Sequence, residues 1–246
     1  MPGPTSRLSY RHEGEVGVLV LDDGKANAIG PAWLEEAQAA LAAAETDATR
    51  ALAVLGRERF FSAGLDMRIV PSLPAEAMRA TSLAFVEVVR RLFLFPKPVV
   101  AASAGHALAG GFMLFCAADL RLATDSPARY GLSEVRIGVP VIGPTAAVVA
   151  AAVPAHERVP LLLHGRELSA REAAALGIVH ELVPTPADLR QRALERAATL
   201  ASTVEPRAYA ISKLALRRPL LEQAAAVATE LAGQIPAENL LAPRRP

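Results

Sequence analysis

The sequence predicts an α/β protein built in layers, with strands and helices alternating over residues 1–180 and a mainly helical region over 181–246. Two observations carry that prediction. VGVLVL, ALAVLG and PVVAASAG are near-continuous apolar runs of strand length, the pattern of strands covered on both faces. Between and after them stand segments with apolar residues at helical spacing, punctuated by Pro, Ser and Gly.

In order, RLSYRHEGEVGVLVLDD reads as two strands around Glu13-Gly14. Pro31 opens a helix carrying Trp33, Leu34, Ala37, Ala40 and Leu41 and ending near Glu45. The strand ALAVLG and the loop GRERFFSAGLDM follow, then a long helical segment over 74–95 with Met78, Leu83, Val86, Val89, Leu92 and Phe93 in phase. The prolines of PKP stop it. PVVAASAG is a strand, AGGFMLFCAAD a short helix and LRLAT another strand. Beyond Pro144, TAAVVAAAV and HERVPLLLHG are helical, and SAREAAALG is a helix capped by Ser169 and stopped by Gly177. IVHELV gives a last strand before a helix near Pro186, two amphipathic helices from about Glu205, and the tail LLAPRRP. There is no exact internal repeat and no long low-complexity linker.

Composition narrows the function classes. A 246-residue chain with 52% hydrophobic content can fill a sizeable core. Its apolar runs are interrupted well before the roughly 18 to 20 residues of a membrane span, and MPGPTSR does not lead into a signal-peptide core. The expectation is a soluble, cytoplasmic protein with no membrane partner. Cys116 is the one cysteine, which rules out an internal disulfide, and its apolar neighbours suit a buried, inert thiol. The 26 basic and 25 acidic residues leave a net charge of +1. No basic stripe interleaved with aromatics suggests a nucleic-acid partner. His12, His106, His156, His164 and His180 lack metal-ligand spacing, so no metal is expected. Neither a G-x-S-x-G element nor a P-loop is present.

Three stretches could carry chemistry. In HALAGGFMLF a helix starting near Gly110 would present free amides at the positive end of its dipole, and Gly110 and Gly111 would let a ligand approach the backbone. Tight packing of that helix on the sheet is the simpler account of the glycines taken alone. FSAGLD, residues 61–66, again places small residues in a turn after a buried strand. Two such turns can aim one N–H each at a single carbonyl oxygen, an oxyanion hole without charged side chains; the alternative is a turn in which Asp66 caps the next helix. In YGLSEVRIGVP, Glu134 lies among apolar residues, where burial would raise its pKa toward proton-transfer use. Its alternative is a surface pair with Arg136. Glu35 and Glu36 suit a solvated helix face.

With these placed in order, the chain resembles the enoyl-CoA hydratase/isomerase family, the crotonase superfamily, over about residues 8–240. The resemblance rests on GKANAI, FSAGLD, KPVVAASAGHALAGGFMLFCAADLRLAT and YGLSEVRIGVP, the third being the most specific. It implies a crotonase-like spiral of ββα units with a helical C-terminal region that covers the CoA site and builds homotrimers, often paired into hexamers. It also implies acyl-CoA thioesters as substrates, with coenzyme A entering as part of the substrate and no tightly bound cofactor.

By that resemblance, the backbone N–H groups of Leu65 and Gly110 hold the thioester oxygen, and Ala26, Ala63 and Asp66 line the CoA path. Lys213 or Arg217 would meet phosphate. Family hydratases resemble one another in carrying two glutamates, one of them three residues beyond the oxyanion-hole glycine. That position is Met113 here, which looks into the same site and offers no proton acceptor. Glu134 matches the other glutamate, the one family isomerases use to move a proton from C2 to C4. Val139, Pro140, Val141 and Ile142 stand where other members place an aspartate. Ala104 and Ala109 replace residues that are often Asn and Gly in the family. The implied activity is enoyl-CoA isomerisation, with a hydratase-like lyase or a non-catalytic acyl-CoA-binding homologue as alternatives.

Overall fold

From residue 51 to residue 131, consecutive strands alternate between two sheets. The computed structural model describes residues 6–232. The strands are β1 (Leu8–Glu13), β2 (Val16–Leu21), β3 (Ala51–Leu55), β4 (Phe60–Ser62), β5 (Val99–Ser103), β6 (His106–Leu108), β7 (Leu120–Thr124), β8 (Arg129–Gly131), β9 (Glu167–Ser169) and β10 (Glu181–Val183). The helices are α1 (Pro31–Thr46), α2 (Ala75–Phe93), α3 (Gly110–Cys116), α4 (Gly143–Ala152), α5 (Ala170–Ala175), α6 (Pro186–Thr203) and α7 (Pro206–Ala232). The larger sheet runs β1-β2-β3-β5-β7-β10 and the smaller β4-β6-β8-β9. Only β1–β2 and β8–β9 pair antiparallel among the described residues. Thus β3-β4-α2, β5-β6-α3 and β7-β8-α4 are successive ββα turns, each giving one strand to each sheet before its helix. That is the spiral the family resemblance implied, and GRERFFSAGLDM, read as a loop, contributes β4 to it.

The continuous apolar strands are explained by two-sided burial. In β3, Leu52 and Val54 join the core shared with α1, α2 and α3, while Ala51, Ala53 and Leu55 face the core under α6. In β5 the same division separates Val99 and Ala101 from Val100 and Ala102. Ala193, Ala197 and Ala201 lie one turn apart on α6 and are fully buried, so small side chains let this helix sit close on the sheet. Thr185 caps it, accepting from the Asp188 N–H, and Pro186 stands in its first turn. At α5, Ser169 and Glu172 form a reciprocal capping box, and Gly177, at φ +71°, ends the segment.

The residue-180 boundary falls just before β10, which pairs with β7 in the main sheet. Several elements differ from expectation. IVHELV contributes only three residues to β10, because the N–H groups of Ile178 and Val179 turn back to Ala173 O at the end of α5. HERVPLLLHG forms a 3-10 turn, Ala155–Glu157, and a π-helical turn, Val159–Leu163. In α2 the buried residues are Thr81, Phe85, Val88, Val89, Leu92 and Phe93, and Leu83 is left exposed. The two helices expected after Glu205 are one, α7, which runs through Pro219. A mid-helix proline costs about 3 kcal/mol, and here packing of α7 on α4, with Leu221 in the core, opposes that cost. The tail LLAPRRP lies outside the described residues. Among those residues, no helix is long and apolar enough to cross a membrane.

The link between β5 and β6 depends on a bare backbone. A Cβ on Gly105 would fall 1.9 Å from the carbonyl carbon of Arg59. We expect Gly105→Ala to lower unfolding stability by about 3 kcal/mol, since backbone has no rotamer with which to yield; urea titration measures this. Ala109, just before α3, sits at φ +51°, ψ −129°, a region that strains any side chain. Ala109→Gly should therefore raise stability by about 1 kcal/mol, the relieved strain exceeding the added freedom of the unfolded glycine. The same titration reads it, and a loss of stability would contradict the strain.

Candidate active site

Two turns that leave the small sheet meet through their backbones. The first, residues 62–66, follows β4. Ile29 N–H donates to Gly64 O (2.8 Å), Asp66 N–H donates to Ile29 O (2.8 Å), and Leu65 makes an isolated parallel bridge with Ile29. In a parallel bridge the residue between those two bonds turns its own N–H to the opposite side. The Leu65 N–H accordingly points away from Ile29 and has no acceptor among the described residues.

The second turn, residues 108–111, leads from β6 into α3. As the first residue of α3, Gly110 has no intrahelical acceptor for its N–H, and it has none elsewhere among the described residues. The glycines set how near the turns come. A Cβ on Gly64 would lie 2.8 Å from the Ala109 Cβ and 2.9 Å from the Gly110 nitrogen, and a Cβ on Gly111 would lie 2.2 Å from Ser62 O. Gly111 is thus required for packing, and the Gly110 N–H is left without an acceptor among the described residues. Two unpaired N–H groups on adjoining, rigid turns are suited to stabilising a developing oxyanion.

Asn27 holds this arrangement, and sequence reasoning does not single it out. It is fully buried at φ +51°, and its Nδ2 donates to Leu21 O, Phe60 O and Phe61 O. Ser62 Oγ ties the same loop down by donating to Asn27 O (2.7 Å) and accepting from the Gly64 N–H (3.1 Å). The signal is present in GKANAI, because asparagine tolerates the left-handed region and can bond nearby backbone. Phe85 is a second residue that sequence reasoning misses: a Cβ on Gly110 would lie 2.9 Å from its ring tip, so α2 walls this turn with an aromatic side chain.

The third arm follows β8. Ala107 and Leu108 pair with Tyr130 and Gly131, and Ala109 N–H donates to Gly131 O (2.9 Å), which sets the start of residues 132–134 beside the second turn. Glu134 opens a 3-10 helix, Glu134–Ile137. The residue is partly exposed, yet its Oε2 is shut from solvent without a hydrogen-bond partner. Trp33 Nε1 and Arg50 Nε share that condition among the described residues, so Glu134 is the one such acid. Burial raises its pKa, opposed by its own backbone N–H and that of Ser133. The surface pair with Arg136 is absent: Arg136 lies nearest Glu167, at 3.9 Å.

Met113 is buried one turn along α3 from Ala109, to whose carbonyl its N–H donates. Ala26 and Ala63 are half-buried and joined by the Ala63 N–H donating to Ala26 O (3.0 Å). The Asp66 carboxylate binds the Arg68 guanidinium, which holds its pKa down, and it caps the following turn through Arg68 N–H. Lys213 and Arg217 require correction as phosphate contacts. Lys213 is 6% exposed and donates to Asp119 (2.8 Å), and Arg217 pairs with the other Asp119 oxygen (2.8 Å) while stacking on Phe93. Glu36 accepts from the N–H groups of Arg7 and Leu8, anchoring β1 rather than resting in solvent. No cluster of metal-ligating side chains occurs among the described residues.

A family model described as enoyl-CoA hydratase/isomerase matches residues 11–235. A Thermus thermophilus protein provisionally named an enoyl-CoA hydratase is 38% identical over 197 residues, 78% of this chain and 75% of the relative. The short-chain-enoyl-CoA hydratase of Clostridium acetobutylicum is 32% identical over 211 residues, 84% and 79% of the two chains. A solved Mycobacterium tuberculosis structure, named an enoyl-CoA isomerase, superposes with a TM-score of 0.85 at 28% identity, covering 94% of this chain and 99% of that one. The spiral of ββα units, the paired glycine turns and these similarities together make the chain a member of the enoyl-CoA hydratase/isomerase family.

Proposed function

We propose that this protein is an enoyl-CoA isomerase that converts 3-enoyl-CoA thioesters to 2-enoyl-CoA thioesters. The observation that carries the reading is the pairing of one carboxylate whose Oε2 is buried without a partner, Glu134, with an apolar Met113 where a second carboxylate would stand. Glu134 removes a proton from C2, and the electron pair passes through the conjugated system to the thioester oxygen. The resulting dienolate is held by the N–H groups of Leu65 and Gly110. Glu134 returns the proton to C4, so the double bond moves while atoms and charge balance. The backbone at Ala26, Ala63 and Asp66 lines the path of coenzyme A, and the working unit is a homotrimer or a dimer of trimers.

Hydration is the second reading, favoured by the names of the relatives. It asks the enzyme to position water, deprotonate it and protonate carbon, which is work commonly shared by two acids. Measuring double-bond migration on 3-enoyl thioesters beside hydration of 2-enoyl thioesters separates the two. Migration should dominate, and hydration without migration would refute the isomerase assignment. Met113→Leu should keep migration within about threefold, since neither side chain exchanges a proton.

Glu134→Gln should cut migration by about 10²- to 10⁴-fold, the usual contribution of general acid–base catalysis. In the unaltered enzyme kcat/KM should fall on the acid side, with its midpoint above the ordinary carboxylate range, as the raised pKa requires. The stability effect has the opposite sign. A folded pKa above the unfolded value means that the native state binds the proton more readily, so stability falls as pH rises from the unfolded value through the folded one. At neutral pH, Glu134→Gln should thus raise stability by about 1 kcal/mol while removing activity. Full activity in that variant would sink the assigned role.

A further inference from the structure

A cavity of about 760 Å³ opens between α4 and α7, toward the end of α3 opposite Gly110. Leu65, Gly110 and Glu134 do not line it. Its long walls are apolar: Ala146, Ala147 and Ala150 from α4 oppose Leu220 and Val227 from α7. Alanines along that face of α4 leave open a space that larger aliphatic side chains would occupy. The cavity is therefore an apolar slot, and its polar groups are gathered on few residues.

Those groups are unbalanced in charge. Arg121, Arg158 and Arg217 line the cavity against one carboxylate, Asp119. Asp119 is already engaged, accepting from the Val99 N–H (2.6 Å), Lys213 (2.8 Å) and Arg217 (2.8 Å). Arg121 is 6% exposed and donates to Ile178 O (2.6 Å) and Ala118 O (2.9 Å), with no carboxylate pair among the described residues. The side chain of Arg158 has a single bond, to Val153 O at 3.4 Å. A buried guanidinium satisfied only by neutral groups retains an uncompensated charge.

His180 adjoins Arg121 but does not line the cavity. Its Nδ1 accepts from the Arg121 N–H (3.0 Å), so the neutral ring carries its proton on Nε2, which lies 3.3 Å from Arg121 Nη2. Both atoms are donors, and their approach cannot be a hydrogen bond. Burial and the Arg121 charge hold the imidazole neutral, with its pKa pushed down to about 4.

We propose that this cavity binds a free aliphatic carboxylate, its head group at the Arg121–Arg158 end and its hydrocarbon tail between α4 and α7. The slot supplies apolar burial at about 25 cal/mol per Å² of tail surface, and the guanidiniums supply charge-assisted donors for the head. An alkyl cation would meet like charge at the same place. Leu65, Gly110 and Glu134 are off the cavity wall, whereas Val141 and Ile142, in the segment where other family members place an aspartate, are on it, so the test includes competition by a CoA thioester.

The test is calorimetric titration of the full chain with dodecanoate below its micelle concentration, with dodecyltrimethylammonium and dodecanol as controls. One dodecanoate should bind per chain, dodecanol at least tenfold more weakly, and the cation not at all. Ala150→Phe, which fills the slot, should weaken dodecanoate at least tenfold while leaving KM for an enoyl-CoA thioester unchanged. Arg158→Gln, at an exposed residue, should weaken it severalfold and keeps the test available if the cavity-filling variant fails to fold. Absence of binding, equal binding of the cation, indifference to both substitutions, or one-for-one displacement by a CoA thioester would each overturn the proposal. The last would locate the carboxylate in the thioester site without touching the isomerase reading, which stands or falls on double-bond migration.

Discussion

Backbone contact between the turns at residues 62–64 and 109–111 is the constraint on which the rest of the molecule depends. Ser62 O stands where a Cβ of Gly111 would be, and Gly64 meets Ala109 and Gly110 where any side chain would collide. Such contact leaves no slack: a backbone cannot rotate away as a side chain can, so the two turns hold one separation. The separation is reinforced from below by parallel pairing of β4 with β6 and from the side by Asn27, whose amide gathers two carbonyls of β4 and the last carbonyl of β2. Two-sheet winding is what delivers both turns to one place. Successive strands leave the large sheet for the small one, and each small-sheet strand ends where its neighbour's turn begins.

Around this rigid pair of amides the surroundings are apolar, and that determines how a single acid behaves. Phe85 walls Gly110 and Met113 is buried on the next turn of α3, while burial of Glu134 outweighs the backbone N–H groups of Ser133 and Glu134 that favour its charge. Burial of the Glu134 Oε2 without a partner is a cost to folding, and it raises the pKa of the acid. The strain at Ala109 is of the same kind: the turn that begins α3 is kept in an unfavourable conformation by the β6–β8 pairing behind it.

The charged residues of α7 have a different purpose from the one their position in the chain suggested. Lys213 and Arg217, one turn apart, grip the two oxygens of Asp119 at the start of β7, and Arg217 lies over the Phe93 ring at 4.4 Å. A buried ion pair of this sort contributes more to fixing where the helix sits than to net stability, because desolvation offsets much of the attraction. It ties the C-terminal helix to the sheet and to α2, and it leaves an excess of positive charge beside the apolar cleft between α4 and α7.

Much of this was legible in the residues. The large-sheet strands, the cap at Ser169, the helix start at Pro186, the glycine turns and the family were readable because each rests on local chemistry: apolar period, fixed φ, an oxygen placed to accept an N–H; the small-sheet strands β4, β6, β8 and β9 were not, being three residues each and too short to show a period of their own. The partners of side chains were not. That Phe85 rather than Leu83 faces inward depends on the roll of α2 about its axis, and that Lys213 meets Asp119 depends on two segments 94 residues apart. Glu134 shows the division within one residue. The sequence by itself determined its apolar neighbourhood and its position after a strand and turn; only the folded chain decided that Arg136 would turn toward Glu167 and leave the acid unpaired. Local preference is a property of a few consecutive residues, whereas burial and pairing arise from distances across the fold, which no short stretch contains.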